Sequence, residues 1–138
     1  MVRMFLSAVT IMVLVMGCGR GPESRGQREI AWADQHLLFL ADGRNGQVRV
    51  FDLRNGPVPR ASLSASGRRS VADMELDPAR AQHWVLGDDA LYRYDARRFV
   101  LLDRRALPTN TGPERALELD GDGVPVLLAA GLRIRLLA

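Results

Sequence analysis

The stretch Val48-Arg49-Val50-Phe51-Asp52, which follows the turn-forming residues Asp42-Gly43-Arg44-Asn45-Gly46, decides how the rest of the chain is interpreted. Its apolar residues largely alternate, and a period of two is typical of a strand with one buried and one wet face. Related runs stand at Leu91-Tyr92-Arg93-Tyr94-Asp95 and Leu132-Arg133-Ile134-Arg135-Leu136. The aspartates that close the first two runs are 43 residues apart, so the body of the chain is predicted to repeat.

A second set of residues supports this period. Asp34, Asp77 and Asp120 are spaced by 43 residues, and each precedes a hydrophobic run after a short connection. The connections after Asp77 and Asp120 contain proline or glycine, which predicts turns. The dipeptide Gln-His also recurs, at 35–36 and 82–83. No part of this body predicts a convincing helix, and we expect antiparallel strands throughout.

Four strands in each unit of about 43 residues resemble the blades of a β-propeller, and the quoted turns and strands resemble lactonase-type or YVTN-type repeats. The resemblance implies an all-β fold of about three four-stranded antiparallel blade-like repeats, at about 30–69, 70–112 and 113–138. A closed propeller needs about four or more blades, so the resemblance implies an incomplete propeller. Three explanations stay open: ring completion by self-association, an open stack or small barrel capped by a partner, or a truncated remnant of a larger propeller.

The N-terminal segment has the features of an export signal. Arg3 is followed by an uncharged, largely apolar run from Met4 to Met16, which suits a signal peptide and is short for a membrane-spanning helix. The segment ends in Val15-Met16-Gly17-Cys18, which resembles the lipobox of bacterial lipoproteins. The resemblance implies a signal peptide at 1–17, cleavage before Cys18, and a diacylglycerol on the Cys18 thiol. Two or three acyl chains would anchor the protein durably, whereas one chain holds weakly.

Residues 18–29 are polar and rich in glycine, which predicts a lipidated Cys18 and a tether ahead of a β-repeat domain at 30–138. Gly19 follows the cysteine in place of the aspartate that would favour the inner membrane. The expected location is therefore the cell envelope, at the outer membrane and facing the periplasm. Because Cys18 is the one cysteine of the chain, its lipidation would leave no thiol for a disulfide.

Composition and motifs exclude several classes of function. The net charge is +3, but the 19 basic residues are all arginine and lie scattered among 16 acids, without a run of five or six like charges. A concentrated basic face is therefore not expected, and nucleic acid is not a predicted partner. The chain contains neither a Gly-x-Ser-x-Gly nucleophile motif nor a glycine-rich phosphate loop. We expect no catalytic residues, no bound metal and no cofactor.

Some polar groups suggest chemistry but are better explained as structure. His36 and His83 are predicted to occupy equivalent positions in neighbouring repeats, yet zinc sites need about three or four ligands and no third is present. Asp120-Gly121-Asp122-Gly123 has the alternating carboxylates of a calcium loop without its later bidentate glutamate, which favours a tight turn. Asp88-Asp89 likewise predicts a hairpin turn. The tyrosines at 92 and 94 are expected not to be buried together on a one-sided sheet unless a bulge separates them.

The function predicted from these features is that of a membrane-anchored envelope lipoprotein that acts as a binding or scaffold module and is not an enzyme. Its partners would be the bilayer, through acylated Cys18, and a second copy or an envelope protein. The apolar run Leu132–Leu137 would form a strand edge that natural proteins usually cover, which motivates this interpretation. The alternatives are a propeller-type hydrolase or lactonase, with metal-binding side chains from several blades, and a truncated remnant of a larger propeller.

Overall fold

The computed structural model describes residues 28–42, 45–108, 112 and 115–137. Within these residues the regular structure consists of eleven strands and one turn of 3-10 helix at Ala33–Gln35, which confirms the predicted all-β class. The strands are β1 (Glu29–Trp32), β2 (Leu37–Ala41), β3 (Val48–Asp52), β4 (Val58–Leu63), β5 (Val71–Asp77), β6 (Gln82–Gly87), β7 (Ala90–Asp95), β8 (Val100–Ala106), β9 (Arg115–Leu119), β10 (Pro125–Ala129) and β11 (Leu132–Arg135).

The strands form three antiparallel sheets, each made of consecutive strands. The first sheet has the order β1-β2-β3-β4, the second β5-β6-β7-β8, and the third β9-β10-β11. Four antiparallel strands are thus present in the first and second sheets, as predicted, and the third sheet has three strands in the described part of the chain. The described residues form no closed ring of sheets.

The first and second sheets repeat each other in detail. A β-bulge shifts the pairing of β3 with β4 after Val50, and the same shift occurs in the pairing of β7 with β8 after Arg93. Asp52 and Asp95 end β3 and β7, and the side chain of each accepts a hydrogen bond of 2.9 Å from the backbone N–H two residues later. These features lie 43 residues apart in the chain, as the sequence predicts.

Of the three aspartates with that spacing, only two are structurally equivalent. Asp77 ends β5, and Asp120 follows β9 and closes the next hairpin with a 3.0 Å hydrogen bond from its N–H to the carbonyl of Val124. In the first sheet this position belongs to Trp32, while Asp34 lies in the 3-10 helix. Between the pairs Leu37–Asp52 and Gln82–Asp95, the hairpin of β2 and β3 has two more residues than that of β6 and β7. Equivalent positions before this hairpin are therefore 45 residues apart and not 43.

The three sheets pack face to face through two apolar clusters. We call the face that each sheet turns towards the preceding sheet its rear face, and the opposite one its forward face. The second sheet is therefore covered on both faces, and this explains why five of the six residues of β6 are buried. Side chains of the cluster between the first and second sheets include Phe39, Val50, Met74, Val85 and Tyr92, and those between the second and third include Trp84, Leu86, Leu91, Leu117 and Leu127.

The two tyrosines of β7 correct one expectation. Tyr92 and Tyr94 are 0% and 1% exposed, so both are buried. Residues two positions apart share one face of a strand, and here that face is the rear face of the second sheet, which the first sheet covers. The bulge beside Arg93 places its extra residue on β8, so that β7 keeps both rings on the same side.

Candidate functional site

The predicted lipid-attachment residue Cys18 lies outside the described residues, as do the signal peptide at 1–17 and the tether up to residue 27. Within the described residues, no helix has the length and apolar character that crossing a membrane requires. The described chain enters the fold through β1 at Glu29, so a lipid on Cys18 would be joined to the body at the first sheet.

The two histidines do not occupy equivalent positions, and that prediction is wrong. His36 has a φ of +53°, and its carbonyl accepts a 2.8 Å hydrogen bond from the N–H of Leu53. Ala81 has the same conformation and the same kind of bond in the second sheet, so it is the equivalent of His36. His83 lies inside β6, at the position that Leu38 holds in β2. The two Gln-His dipeptides lie 47 residues apart, whereas equivalent positions at the start of β2 and β6 lie 45 apart, so the dipeptide is out of register by two residues.

His83 is fully buried between the first and second sheets. Its ring stacks on Phe39, with centroids 4.3 Å apart and planes 12° from parallel, and its Nε2 lies 3.4 Å from the sulfur of Met74. Burial, assisted by the positive charge of Arg68, lowers the pKa of His83 to about 3. Its Nδ1 is buried without a hydrogen-bond partner among the described residues. The imidazole is therefore neutral at ordinary pH and serves as a packing surface between sheets.

Asp88 and Asp89 form the predicted hairpin between β6 and β7. One oxygen of Asp88 accepts backbone N–H bonds of 3.0 and 3.3 Å from the residues that lead into β5. Asp89 accepts a 2.7 Å bond from the Tyr92 hydroxyl and forms a 3.1 Å ion pair with Arg104. Burial raises the pKa of Asp89, but the bonds from Tyr92 and Arg104 outweigh it and hold that pKa below its usual value. Both carboxylates thus fasten the hairpin to its neighbours.

The segment 120–123 forms the predicted tight turn between β9 and β10. One oxygen of Asp120 accepts 2.9 Å bonds from the N–H groups of Asp122 and Val124, and the other forms a 2.8 Å ion pair with Arg135. The bond from Val124 contributes most to lowering the pKa of Asp120. Across the described residues, the His, Cys, Asp and Glu side chains nowhere form a group of three or more that could hold a metal ion.

Sequence reasoning missed a buried cation, Arg68, in the connection between β4 and β5. Its Nε donates a 2.6 Å hydrogen bond to the carbonyl of Gly46, and a second nitrogen donates to the carbonyl of Leu63. A third donates a 2.8 Å bond to the hydroxyl of Tyr94. The guanidinium carbon also lies 4.7 Å from the ring centre of Tyr92. Arg68 thereby ties the β2–β3 loop and the end of β4 to the rear face of the second sheet.

The rear face of the first sheet is uncovered in the described structure. It carries the apolar side chains of Leu38, Leu40 and Phe51, together with the charged Arg49. Leu40 is 36% exposed, and Leu38 and Phe51 are half-buried. Since the matching face of the second sheet is buried by the first, this surface is a candidate site for contact with another sheet.

The forward face of the third sheet is the second face on which no described sheet packs. On it Leu128 is half-buried and Val126 is 3% exposed, beside the ion pairs of Glu118 with Arg133, at 3.0 Å, and of Asp120 with Arg135. Strand β11 also pairs with β10 alone among the described strands, and Leu132 on it is 62% exposed. The two end faces and this edge together form the candidate interaction site.

Comparisons with protein-family models and with curated proteins find no match to this chain.

Proposed function

We propose that this chain is a bacterial envelope lipoprotein, anchored by lipid on Cys18, whose β-sheet body is an incomplete propeller that binds a partner or serves as a scaffold. The lipobox-like residues Val15 to Cys18 support the anchor, and Gly19 after them supports the outer membrane as its location. The bilayer is then one partner of the protein, and a protein subunit is the other.

The observation that carries the binding role is the pair of uncovered end faces. A stack of sheets buries each inner face against a neighbour, and the rear face of the first sheet presents Leu38, Leu40 and Phe51 without such a neighbour among the described residues. Apolar sheet faces and free strand edges are surfaces that proteins use for association. The buried His83 and the hydrogen-bonded carboxylates of Asp88, Asp89 and Asp120 are occupied in holding the sheets and turns together.

The anchor is tested by labelling cells with an alkyne fatty acid and purifying the tagged chain. We expect the native protein to carry the label in the membrane fraction, the variant Cys18→Ser to lose it, and the tether control Ser24→Ala to keep it. Gly19→Asp should keep the label and move the protein to the inner membrane. An unlabelled native protein, or an equally labelled Cys18→Ser variant, would remove the lipoprotein proposal.

The binding role is tested by photo-crosslinking in the same cells. A crosslinking residue placed at Leu40, on the rear face of the first sheet, or at Leu132, on the edge of β11, should yield covalent adducts of higher mass. The exposed residue Asp34, which belongs to the 3-10 helix and lies on neither surface, is the control position. Adducts at neither test position, or equal adducts at Asp34, would contradict a role in binding.

A further inference from the structure

The cross-strand rows of the sheets show what kind of surface the free rear face resembles. On the rear face of the second sheet, Leu76, His83 and Tyr94 form one row and Met74, Val85 and Tyr92 another, and the first sheet covers both. In the third sheet the matching rows are Leu119–Pro125–Leu136 and Leu117–Leu127–Ile134. All of these residues except Pro125 belong to the cluster that packs against the second sheet. The rear faces of the second and third sheets therefore each pack against the forward face of the preceding sheet.

The first sheet has the same two rows without a covering sheet. They are Ala31–Leu38–Phe51 and Glu29–Leu40–Arg49, read from the pairing of β1, β2 and β3. The first row is entirely apolar, and the second has Leu40 between two opposite charges. This face thus keeps the apolar centre of a covered rear face and lacks only its neighbour among the described residues.

The free forward face of the third sheet also matches a covered one. On the second sheet, the forward row Glu75–Trp84–Arg93 lies on the side that packs against the third sheet. The corresponding row of the third sheet is Glu118–Val126–Arg135, with an acid, an apolar residue and an arginine in the same order. The ion pairs of Glu118 with Arg133 and of Asp120 with Arg135 balance its charges, so it would not repel a face that carries Glu29 and Arg49.

We infer that the partner is a second copy of this chain, with the forward face of the third sheet of each copy seated on the rear face of the first sheet of the other. Each interface between the described sheets joins one forward face to one rear face, and one of each has no sheet packed on it in the described structure. Such a head-to-tail contact can close into a ring when the rotation allows it. The described sheets of two copies number six, within the range of about four to eight blades known for closed propellers. This inference rests on the binding role proposed above.

The stacking of Phe39 on His83 identifies the residues to test. Phe39 lies on the forward face of the first sheet, His83 on the rear face of the second, and their ring centres are 4.3 Å apart. The strand pairing makes Val126 in β10 the equivalent of Phe39, and Leu38 in β2 the equivalent of His83. In the proposed contact, Val126 of one copy would therefore face Leu38 of the other. Cysteines at Leu38 and Val126 of different copies would therefore face each other across the contact, at the distance of about 10 Å that separates packed sheets.

The experiment coexpresses two differently tagged full-length chains, one carrying Leu38→Cys and the other Val126→Cys, followed by treatment of the cells with a bismaleimide that spans about 10 Å. We expect a crosslinked dimer with both tags, at least tenfold more abundant than when Val126→Cys is replaced by the control Val100→Cys on the exposed edge of β8. Leu38→Cys expressed alone should give no dimer above that control, because head-to-tail contact separates the two Leu38 residues.

Light scattering on the native chain in detergent gives an independent measurement. The protein mass is expected to be that of two copies and to fall to that of one copy in Leu38→Arg, with the β-sheet circular dichroism unchanged. A one-copy mass for the native chain, crosslinking no stronger than the control, or adducts at Leu40 that hold only a different protein would overturn the inference. The last result would leave the binding role intact, and loss of the fatty-acid label would overturn the anchor alone.

Discussion

Replacement of Arg68 is the sharpest test of how the first two sheets are joined. Arg68→Ala removes the hydrogen bonds from the guanidinium to the carbonyls of Gly46 and Leu63, while the hydroxyl of Tyr94 keeps its 3.1 Å bond to the carbonyl of Ser64. A hydrogen bond to a charged group contributes about 1.5–3 kcal/mol, so the loss of these two costs roughly 4 kcal/mol. The loss of the aromatic contacts of the guanidinium adds about 0.5–2 kcal/mol. Since domains of this size are stable by about 5–15 kcal/mol, the variant should be close to unfolding.

The assay is thermal unfolding of the full chain in mild detergent, followed by circular dichroism. A loss of roughly 4 kcal/mol corresponds to a fall of about 15 °C in the midpoint for a domain of about 100 residues. Arg68→Lys should lower the midpoint by more than half of the fall expected for Arg68→Ala, because one ammonium group cannot reproduce the planar arrangement of donors of the guanidinium. The control is Arg97→Ala, an exposed arginine 5.9 Å from the ring of Trp32, which should shift the midpoint by no more than about 2–3 °C. A midpoint for Arg68→Ala as high as that of the control would refute the reasoning.

Two further substitutions test other contacts between sheets and turns. Gly123→Ala should lower the free energy of unfolding in urea by about 2 kcal/mol, because the φ of Gly123 is +74° and an added Cβ would lie 2.5 Å from the Arg80 guanidinium. The control Gly121→Ala should change it little, since a Cβ there has no neighbouring atom within 4 Å. Equal effects of the two substitutions would contradict this reasoning. Burial lowers the pKa of His83 in the folded protein to about 3 from 6.5, so the unfolded chain binds the proton at a higher pH than the folded protein does. As the pH falls below about 6.5, the free energy of unfolding should therefore decrease by about 1.4 kcal/mol per pH unit. His83→Leu should remove that slope between pH 6.5 and 5, and a retained slope would show that other groups cause it.

The period of the strands could be predicted from the sequence because it depends on local properties. Alternation at 48–52 and 91–95 marks strands, and Asp52 and Asp95 bond to the backbone two residues later, so their spacing survives in the structure. The position of Asp34 could not be predicted in the same way. Its spacing of 43 residues to Asp77 does not mark equivalent positions, because the longer hairpin of β2 and β3 sets equivalent positions before it 45 residues apart. The strand pairing shows this, and the local sequence pattern does not.

The contacts between sheets were beyond what local pattern reveals. The bond acceptors of Arg68 include Gly46 and Tyr94, 22 and 26 residues away in the chain, and the sequence around Arg68 and Arg69 indicates only a polar linker. The histidines illustrate the same limit, since identical dipeptides put His36 in an exposed turn and His83 in the core. A one-sided sheet was also the wrong assumption for Tyr92 and Tyr94, because a strand pattern does not show how many neighbours its sheet has.

The position of the second sheet between two others has a consequence for the dynamics of the whole chain. In arrays of repeated units, stability is the sum of what each unit contributes and what each interface with a neighbour adds. The first and third sheets have one such interface each in the described structure, whereas the second has two. Local opening should therefore begin at the ends, with the amides of β6 and β7 the slowest to exchange with solvent. An end sheet could thus loosen and reorder against a new surface while the middle sheet keeps its fold.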